Sequence, residues 1–371
     1  MRVHSLHLKQ YRNINELTLQ CQETLHFFVG ANAQGKTNIL ESLYVLGMGK
    51  SHRSRTHKEL IQFGKESAQL QAQVVKGTQK MKLSITLTEK GKKVSRNGIE
   101  QTKLSHYIGS LPIVLFAPED LSIVKGSPQV RRRFLDMEIG QVSPAYIHYL
   151  TQYNKLVSQR NSLLKQLAQK KSHPSLLTVI NEQLISLACE IWFRRFRFLI
   201  SLQKWAQEIH QAITQQTDEL VVKYVPSVKL SVEMKKEELA QVMEAELAKV
   251  MDKEIQRGTT LVGPHRDDLN LTVGGIDLHT FGSQGQQRTA ALSLKLAEIE
   301  LIYHETGYYP ILLLDDVLSE LDDQRKTHLL ESIKGRVQTF VTTTSLDGID
   351  PVLLQQSKVY QVKQGIIMEL E

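Results

Sequence analysis

Eight residues near the start of the chain decide its fold: Gly30-Ala31-Asn32-Ala33-Gln34-Gly35-Lys36-Thr37. They match the pattern G-x-x-x-x-G-K-[ST] of a phosphate-binding loop. Residues 25–29 predict a short strand that enters the loop, and residues 38–46 predict the helix that leaves it. Glycine lets the backbone turn its N–H groups toward phosphate oxygens, and the start of the helix adds partial positive charge. Without those flanking elements the pattern would indicate only a glycine turn with a surface lysine.

The loop predicts a site for ATP and Mg²⁺. Lys36 is expected to bind the β- and γ-phosphates and to be catalytic, and the hydroxyl of Thr37 is expected to bind the metal. The residues of this segment that we expect to contact the nucleotide are Gly30, Ala31, Asn32, Ala33, Gln34, Gly35, Lys36, Thr37 and Asn38.

Bulk composition restricts the class of protein. A chain of 371 residues is long for one core, so two or three domains are expected. The two cysteines, Cys21 and Cys189, lie far apart, which suits a reducing cytoplasm and argues against a disulfide framework or a zinc site. The first residues lack the apolar stretch of a signal peptide, and no apolar run reaches the ~18 residues of a membrane span, so we expect a cytoplasmic protein without a membrane partner. The net charge of +7 is compatible with a polyanionic partner but does not decide the matter.

A second motif, residues 311–316, consists of four apolar residues followed by Asp315 and Asp316. The apolar run predicts a buried strand of a parallel sheet beside the phosphate loop. Asp315 would then bind Mg²⁺, and Asp316 would act as the general base toward the attacking water. The alternative is a buried strand that ends in the N-cap of a helix, where aspartate is common.

Two further segments precede predicted helices. Residues 282–288 contain Ser283, Gln284, Gly285 and Gln286, where a hydroxyl, a glycine backbone and a helix start form a second anion-binding arrangement. Residues 319–322 read Ser-Glu-Leu-Asp. Each segment is also compatible with an ordinary capped helix start.

The pattern along the chain indicates a discontinuous domain. Alternating apolar residues over 67–98 predict antiparallel strands, whereas helical spacing over 128–167 and 175–217 predicts two long helices that form an antiparallel hairpin. We expect a first part of a nucleotide-binding head over 1–104, an inserted helical lobe over 105–255, and a second part of the head over 256–371.

Taken together, the motifs resemble those of ABC-type ATPases. Residues 283–286 are similar to the signature loop of that class, and residues 319–322 are similar to its D-loop. The pair Arg12-Asn13 resembles the early Arg-Asn pair of the SMC-like branch. Within that branch the chain resembles the RecF family over essentially its whole length, and the most specific segment is Gly-Pro-His-Arg-Asp-Asp at 263–268. The other segments that carry this resemblance are 30–38, 116–121, 131–136, 283–286 and 313–322.

The resemblance implies an α/β fold, an ABC-type P-loop ATPase head with an inserted helical hairpin. It implies that Arg12 and Asn13 reach the nucleotide, and that Ser283, Gln284, Gly285 and Gln286 contact the γ-phosphate held by a second copy in an ATP-dependent homodimer. It also implies binding of double-stranded and gapped DNA, loading of RecA at gaps with RecR as partner, and roles in DNA repair, replication restart and the SOS response. Because residues 117–120 lack the usual glutamine and residues 342–344 lack the usual histidine, we expect slow hydrolysis that serves as a switch; whether the chain counts as an enzyme stays open.

Clusters of basic residues provide candidate DNA contacts. Phosphate contacts from such side chains would be independent of sequence and sensitive to salt. The alternative is that these arginines lie on solvated helix faces. The candidates are Arg53, Arg55, Arg131, Arg132 and Arg133.

Two other functional classes remain open from sequence alone. An ABC transporter ATPase would share the phosphate loop but would couple to a membrane protein. A small-molecule kinase would share the loop but has no use for a signature loop. His265 and Arg266 receive no assigned role.

Overall fold

The computed structural model describes residues 1–54, 56–171, 173, 175–215, 218–320 and 323–370. The strands are β1 (Arg2–Tyr11), β2 (Ile14–Gln20), β3 (Leu25–Val29), β4 (Ser67–Lys76), β5 (Gln79–Thr88), β6 (Gly91–Arg96), β7 (Ile99–Glu100), β8 (Ile113–Phe116), β9 (Leu220–Val225), β10 (Asp268–Val273), β11 (Ile276–Asp277), β12 (Ile311–Asp315), β13 (Thr339–Thr343), β14 (Lys358–Lys363) and β15 (Ile366–Leu370). The helices are α1 (Lys36–Met48), α2 (Leu121–Lys125), α3 (Pro128–Val142), α4 (Pro144–Ala168), α5 (Ser175–Ile213), α6 (Lys236–Arg257), α7 (Gln284–Thr306), α8 (Asp323–Ile333) and α9 (Pro351–Gln355).

The chain divides into two compact units. Unit 1 combines Met1–Asp120 with Leu294–Glu371, and unit 2 is Leu121–Ser293. The bounds differ from the predicted lobe of 105–255. The first bound moves because β8 pairs with β12 in the parallel sheet of unit 1, and the second moves because β10 pairs with β9 within unit 2. The predicted signature segment, 283–286, falls within unit 2 by this division, and the predicted domain bounds stay a prediction.

Unit 1 contains an antiparallel sheet with strand order β2-β1-β4-β5-β6-β7. The predicted alternation over 67–98 is present, since Leu70, Ala72 and Val74 of β4 are buried while the residues between them are more exposed. One face of the sheet therefore packs into the core of the unit.

The second sheet of unit 1 has the order β15-β14-β3-β13-β12-β8. Strands β14, β3, β13, β12 and β8 run parallel, and β15 pairs antiparallel at the edge. The strand of the second motif was expected in the parallel sheet beside the phosphate loop, and β12 lies in that sheet, with β13 between it and β3. Since all of these strands end at the same edge, the loops that follow them still meet there.

Unit 2 contains the predicted helical hairpin, formed by α4 and α5. The helical pattern from 128 to 167 is not one helix, because it is interrupted at Ser143-Pro144. Proline donates no backbone hydrogen bond, and the hydroxyl of Ser143 accepts one from the N–H of Tyr146, so a new helix begins there.

Helix α5 is long and apolar enough to cross a membrane by length and composition, with a mean hydropathy of 1.3 over its most apolar window. No apolar run long enough to span a membrane was expected from the sequence. The same helix carries the buried side chains of Trp192 and Arg195, both hydrogen-bonded within unit 2. One third of the apolar window is buried, and these two residues pack within unit 2.

Candidate functional site

The phosphate loop lies between β3 and α1, as the sequence predicts. Gly35 precedes α1 with φ of +106°, where a Cβ atom would also lie 2.7 Å from the amide nitrogen of Asn13. At Gly30 a Cβ atom would collide with the carbonyl oxygen of Val362 on β14. Both glycines are therefore required by the backbone and its neighbours.

Lys36 is buried at the start of α1, and its Nζ donates to the carbonyl oxygens of Gly30 and Ala31. Burial lowers the pKa of Lys36, while the charges of Asp316 and Asp315 act in the opposite direction. The ammonium group therefore lies inside the loop and near both carboxylates of the second motif.

Thr37 and Asp315 meet across the site. The hydroxyl of Thr37 donates to Asp315 Oδ1 at 2.9 Å, although the two residues are 278 positions apart in the chain. A hydroxyl and a carboxylate are oxygen ligands of the kind that Mg²⁺ prefers.

Asp316 has a strained backbone, with φ of +55°. Its N–H donates to Thr342 Oγ1 at 2.9 Å. Its Oδ1 is buried and, within the described part of the chain, accepts no hydrogen bond. Strained residues and unpaired buried acceptors concentrate at functional sites, so this carboxylate suits a role toward a bound molecule.

Thr342 belongs to the candidate site but was not predicted from the sequence. Residues 342–344 entered the prediction only through the histidine they lack, from which slow hydrolysis is expected. In the parallel ladder Thr342 lies opposite Asp315, and its hydroxyl donates to Asp315 Oδ1 at 2.8 Å. A polar residue at the end of a buried strand is the signal that would have identified it.

The two residues of the predicted Arg-Asn pair have different surroundings. Asn13 lies at the phosphate loop, where its Nδ2 donates to Gln34 O at 3.3 Å and its Oδ1 accepts from Asn38 at 2.8 Å. Arg12 instead forms two hydrogen bonds to the buried carboxylate of Glu41, at 2.9 and 2.7 Å. The predicted contact of Arg12 with nucleotide stays a prediction.

Burial disfavours the charged form of Glu41, but hydrogen bonds from Arg12 and Ser51 and the charge of Arg12 hold its pKa below the usual value. Glu41 therefore stays ionised and fixes Arg12 behind the loop.

These residues fit a nucleotide and its metal. The loop requires glycine at both ends, Thr37 and Asp315 present oxygens to one point, and Asp316 offers an unpaired acceptor. The donor set is suited to phosphate and to a hard cation.

The predicted signature segment forms a capping box at the start of α7. Ser283 Oγ accepts from Gln286 N at 3.2 Å, and Gln286 Oε1 accepts from Ser283 N at 3.0 Å. The ordinary capped helix start is therefore present. Ser283 and Gln284 are exposed while Gly285 is partly buried, and their predicted contact with a second copy stays a prediction.

Part of the predicted site lies outside the described residues. Leu321 and Asp322 of the segment 319–322 are not among the described residues. Arg55, one of the DNA candidates, is also not among them. Ser319 is described, and its hydroxyl donates to the carbonyl oxygen of Asp316 at 2.6 Å.

The remaining DNA candidates divide into buried and exposed residues. Arg131 is buried and forms a bidentate pair with Asp268, at 2.7 and 2.8 Å, so it stabilises unit 2 instead of facing solvent. Arg132 is partly buried and donates to the carbonyl oxygen of Asp267 at 2.6 Å. Arg53 and Arg133 are exposed and stay predicted phosphate contacts.

The segment 263–268 forms a buried polar network within unit 2. Asp267 is fully buried and accepts hydrogen bonds from Trp192 Nε1 and from Ser227 N, both at 2.6 Å. His265 contacts the hydroxyl of Tyr153 at 2.8 Å, and burial lowers its pKa to about 4. His265 is therefore neutral near pH 7, and both residues contribute to the packing of unit 2.

The chain is similar in sequence to known proteins over almost its whole length. Residues 2–368 match the family model of the RecF/RecN/SMC N terminal domain. A protein of Oceanobacillus iheyensis named DNA replication and repair protein RecF is 52% identical over 368 residues, which is 99% of this chain and 100% of the relative. A protein of the same name from Bacillus subtilis is 50% identical over 370 residues, which is 100% of both chains.

Solved structures give the same result. Two structures of the recombination mediator protein RecF in the RecFOR pathway, RecF-ATPrS and RecF-ATP, superpose with TM-scores of 0.93 and 0.92 at 32% identity, covering 100% of this chain and 98% and 97% of theirs. An Smc head domain from Pyrococcus furiosus shares the fold, with a TM-score of 0.54 at 16% identity over 100% of this chain and 96% of that one. The predicted fold class, an ABC-type α/β head, is confirmed.

Proposed function

The chain belongs to the RecF/RecN/SMC N-terminal domain family, and we propose that it is an ATP-dependent DNA-binding protein of recombinational repair and replication restart. Relatives named for DNA replication and repair match it over essentially their full length, which supports the proposal.

The observation that carries the proposal is the arrangement of Thr37, Asp315 and Asp316 at one edge of the parallel sheet. Residues 30–38 would hold the phosphates of ATP, and Thr37 and Asp315 would hold Mg²⁺. When bound, the metal would neutralise negative charge on the phosphates. Asp316 would orient the attacking water and accept its proton.

We propose that ATP acts mainly as a dimer switch. The segment 283–286 of one copy would contact the γ-phosphate held by the other copy, as the family resemblance implies. Hydrolysis would be weak, because residues 117–120 carry no glutamine and residues 342–344 no histidine. As expected of a DNA-binding switch, DNA would stimulate it. Hydrolysis would then release the dimer.

The proposed ligands are double-stranded and gapped DNA, with binding at junctions of single and double strands. The proposed protein partner is RecR, and the proposed outcome is loading of RecA at gaps during repair and the SOS response. The exposed Arg53 and Arg133 would contact phosphates, and the protein would act in the cytoplasm. No feature of the described site favours a transporter ATPase or a small-molecule kinase.

The test is light scattering with and without ATP·Mg²⁺ and with and without gapped duplex DNA. We expect an ATP-dependent shift from monomer to dimer that DNA enhances. Lys36→Ala should abolish both ATP binding and the shift, whereas the exposed control Lys93→Ala should change neither. A wild-type protein that does not bind ATP, or that does not bind DNA, would overturn the proposal.

A further inference from the structure

Phe63 is an aromatic side chain that lies entirely in solvent, with a relative exposure of 102%. A phenylalanine ring is normally buried because water solvates it poorly. Single exposed apolar side chains are common on protein surfaces, but a fully exposed aromatic ring also offers a face on which a base can stack. The ring lies in unit 1, at the corner of the turn formed by residues 62–65.

The turn that presents Phe63 is anchored to β1. Lys65 N donates to Gln62 O at 3.0 Å, and Gly64 has φ of +77°, a conformation that favours glycine. Gln62 N donates to Gln10 O at 2.9 Å, which fastens the turn to the end of the strand. The ring therefore lies on an ordered backbone, so little conformational entropy would be lost on binding.

The chain around Phe63 is basic. Residues 50–66 contain two acidic residues, Glu59 and Glu66, and five basic ones: Lys50, Arg53, Arg55, Lys58 and Lys65. Lys58 and Lys65 are exposed on either side of Phe63 in sequence. An aromatic ring among cations is the combination by which proteins bind single-stranded nucleic acid, because bases stack on the ring while cations contact the backbone.

We propose that Phe63 stacks on an unpaired DNA base next to the end of a duplex. Within a duplex both faces of a base are covered by its neighbours, so exposing one has a cost of unstacking. At a gap an unpaired base offers its face freely. Phe63 therefore gives the protein its preference for gapped DNA over continuous duplex. Lys58 and Lys65 contribute to the binding of both kinds of DNA.

This inference rests on the proposed DNA-binding function and adds the residue that recognises the unpaired strand. The basic surroundings favour nucleic acid over a second copy of this chain or another protein as the partner of the ring. Those two partners remain outcomes of the test.

The experiment compares Phe63→Ala, Phe63→Trp and the control Ile99→Ala, which removes another exposed apolar side chain of unit 1. Fluorescence anisotropy with ATP·Mg²⁺ measures binding to blunt and to gapped duplex, and 2-aminopurine at the first unpaired position reports stacking. We expect Phe63→Ala to weaken binding to gapped DNA about tenfold, to leave binding to blunt duplex unchanged, and to abolish the quenching of 2-aminopurine. Phe63→Trp and Ile99→Ala should keep the wild-type preference and quenching.

Lys65→Ala separates charge from stacking. It should weaken binding to both DNAs alike and reduce the slope of log affinity against log salt by about one. Phe63→Ala should leave that slope unchanged.

The outcomes distinguish the two proposals. If the wild-type protein binds no DNA, the proposed function fails. If it binds DNA but Phe63→Ala retains the preference for gaps and the quenching, or if the wild type shows no such preference, the role of Phe63 fails alone. If Phe63→Ala instead abolishes ATP-dependent dimers in light scattering without DNA, the ring lies between copies and the inference is overturned. If Phe63→Ala binds DNA as the wild type does but no longer binds RecR, the inference is also overturned.

Discussion

Thr342 and Asp315 lie side by side at the ends of β13 and β12, and the hydroxyl of Thr342 donates to Asp315 Oδ1 at 2.8 Å. The same hydroxyl accepts the N–H of Asp316 at 2.9 Å. One side chain therefore orients the proposed metal carboxylate and also holds the strained backbone of the proposed base.

Thr342→Val should slow ATP hydrolysis while leaving ATP binding nearly unchanged. Valine keeps the shape and suits a buried strand, but it removes a hydrogen bond to a charged acceptor, worth about 1.5–3 kcal/mol. If that energy serves to position Asp315 and Asp316, the rate falls roughly tenfold or more. Single-turnover kinetics and titration with a fluorescent ATP analogue measure the two effects. Thr342→Ser retains the hydroxyl and should retain most of the rate; equal losses in both variants would contradict the role of the hydroxyl.

Glu41→Gln should destabilise unit 1 by about 2–3 kcal/mol. The change removes the charge that neutralises Arg12, whose side chain is 20% exposed while that of Glu41 is fully buried. Urea unfolding at neutral pH measures the free energy of unfolding. Glu59→Gln is the matched control, since that exposed glutamate contributes its backbone carbonyl to Arg12, and it should change the free energy of unfolding by less than about 0.5 kcal/mol.

The effect of Glu41→Gln should depend on pH. The folded protein lowers the pKa of Glu41, so the stability it contributes is present above the pKa of an unfolded glutamate, about 4.3, and is lost as pH falls through the lower folded value. The difference in unfolding free energy between wild type and variant should be constant near neutral pH and shrink below about pH 4.3. A difference that grows on acidification would contradict this assignment.

The sequence predicts the elements of the site better than their connections. The strand, loop and helix around Gly30 and Gly35 follow from a local pattern, and so does the apolar strand that ends at Asp315. The insertion of β13 between β3 and β12 depends on long-range pairing, which no local pattern encodes. The position of Thr342 at the end of a buried strand is a local signal, but its contact with Asp315 depends on the same long-range pairing.

The environment of each arginine could not be predicted from the sequence. A cluster of arginines in sequence carries no information on which of them is buried. Arg131 and Arg133 are two positions apart on α3, yet Arg131 is paired with Asp268 inside unit 2 and Arg133 is exposed. Their environments depend on β10, which is distant in the chain, so only the folded structure separates them.

Asp316→Asn should preserve ATP binding and accumulate the dimer. Asparagine tolerates the positive φ of this position and keeps the shape of the side chain, but it cannot accept a proton from water. We expect hydrolysis to fall by about 100-fold or more and the ATP-bound dimer to persist. Light scattering after addition of ATP·Mg²⁺ measures the lifetime of the dimer. A variant that binds ATP but stays monomeric would show that Asp316 is not the base.

Ser283→Asp separates the two roles of Ser283. As the N-cap of α7 its oxygen accepts the N–H of Gln286, and aspartate performs that role equally well, so the melting temperature should be unchanged. In the proposed dimer the same oxygen would face the γ-phosphate of the other copy, where a carboxylate would repel it. ATP binding by the monomer should therefore stay at the wild-type level while ATP-dependent dimers disappear from light scattering. Ser283→Ala should lose about 1 kcal/mol of stability with the cap and weaken the dimer less than aspartate does. If Ser283→Asp still dimerises with wild-type affinity, the segment 283–286 is a helix cap alone and the contact with a second copy is wrong.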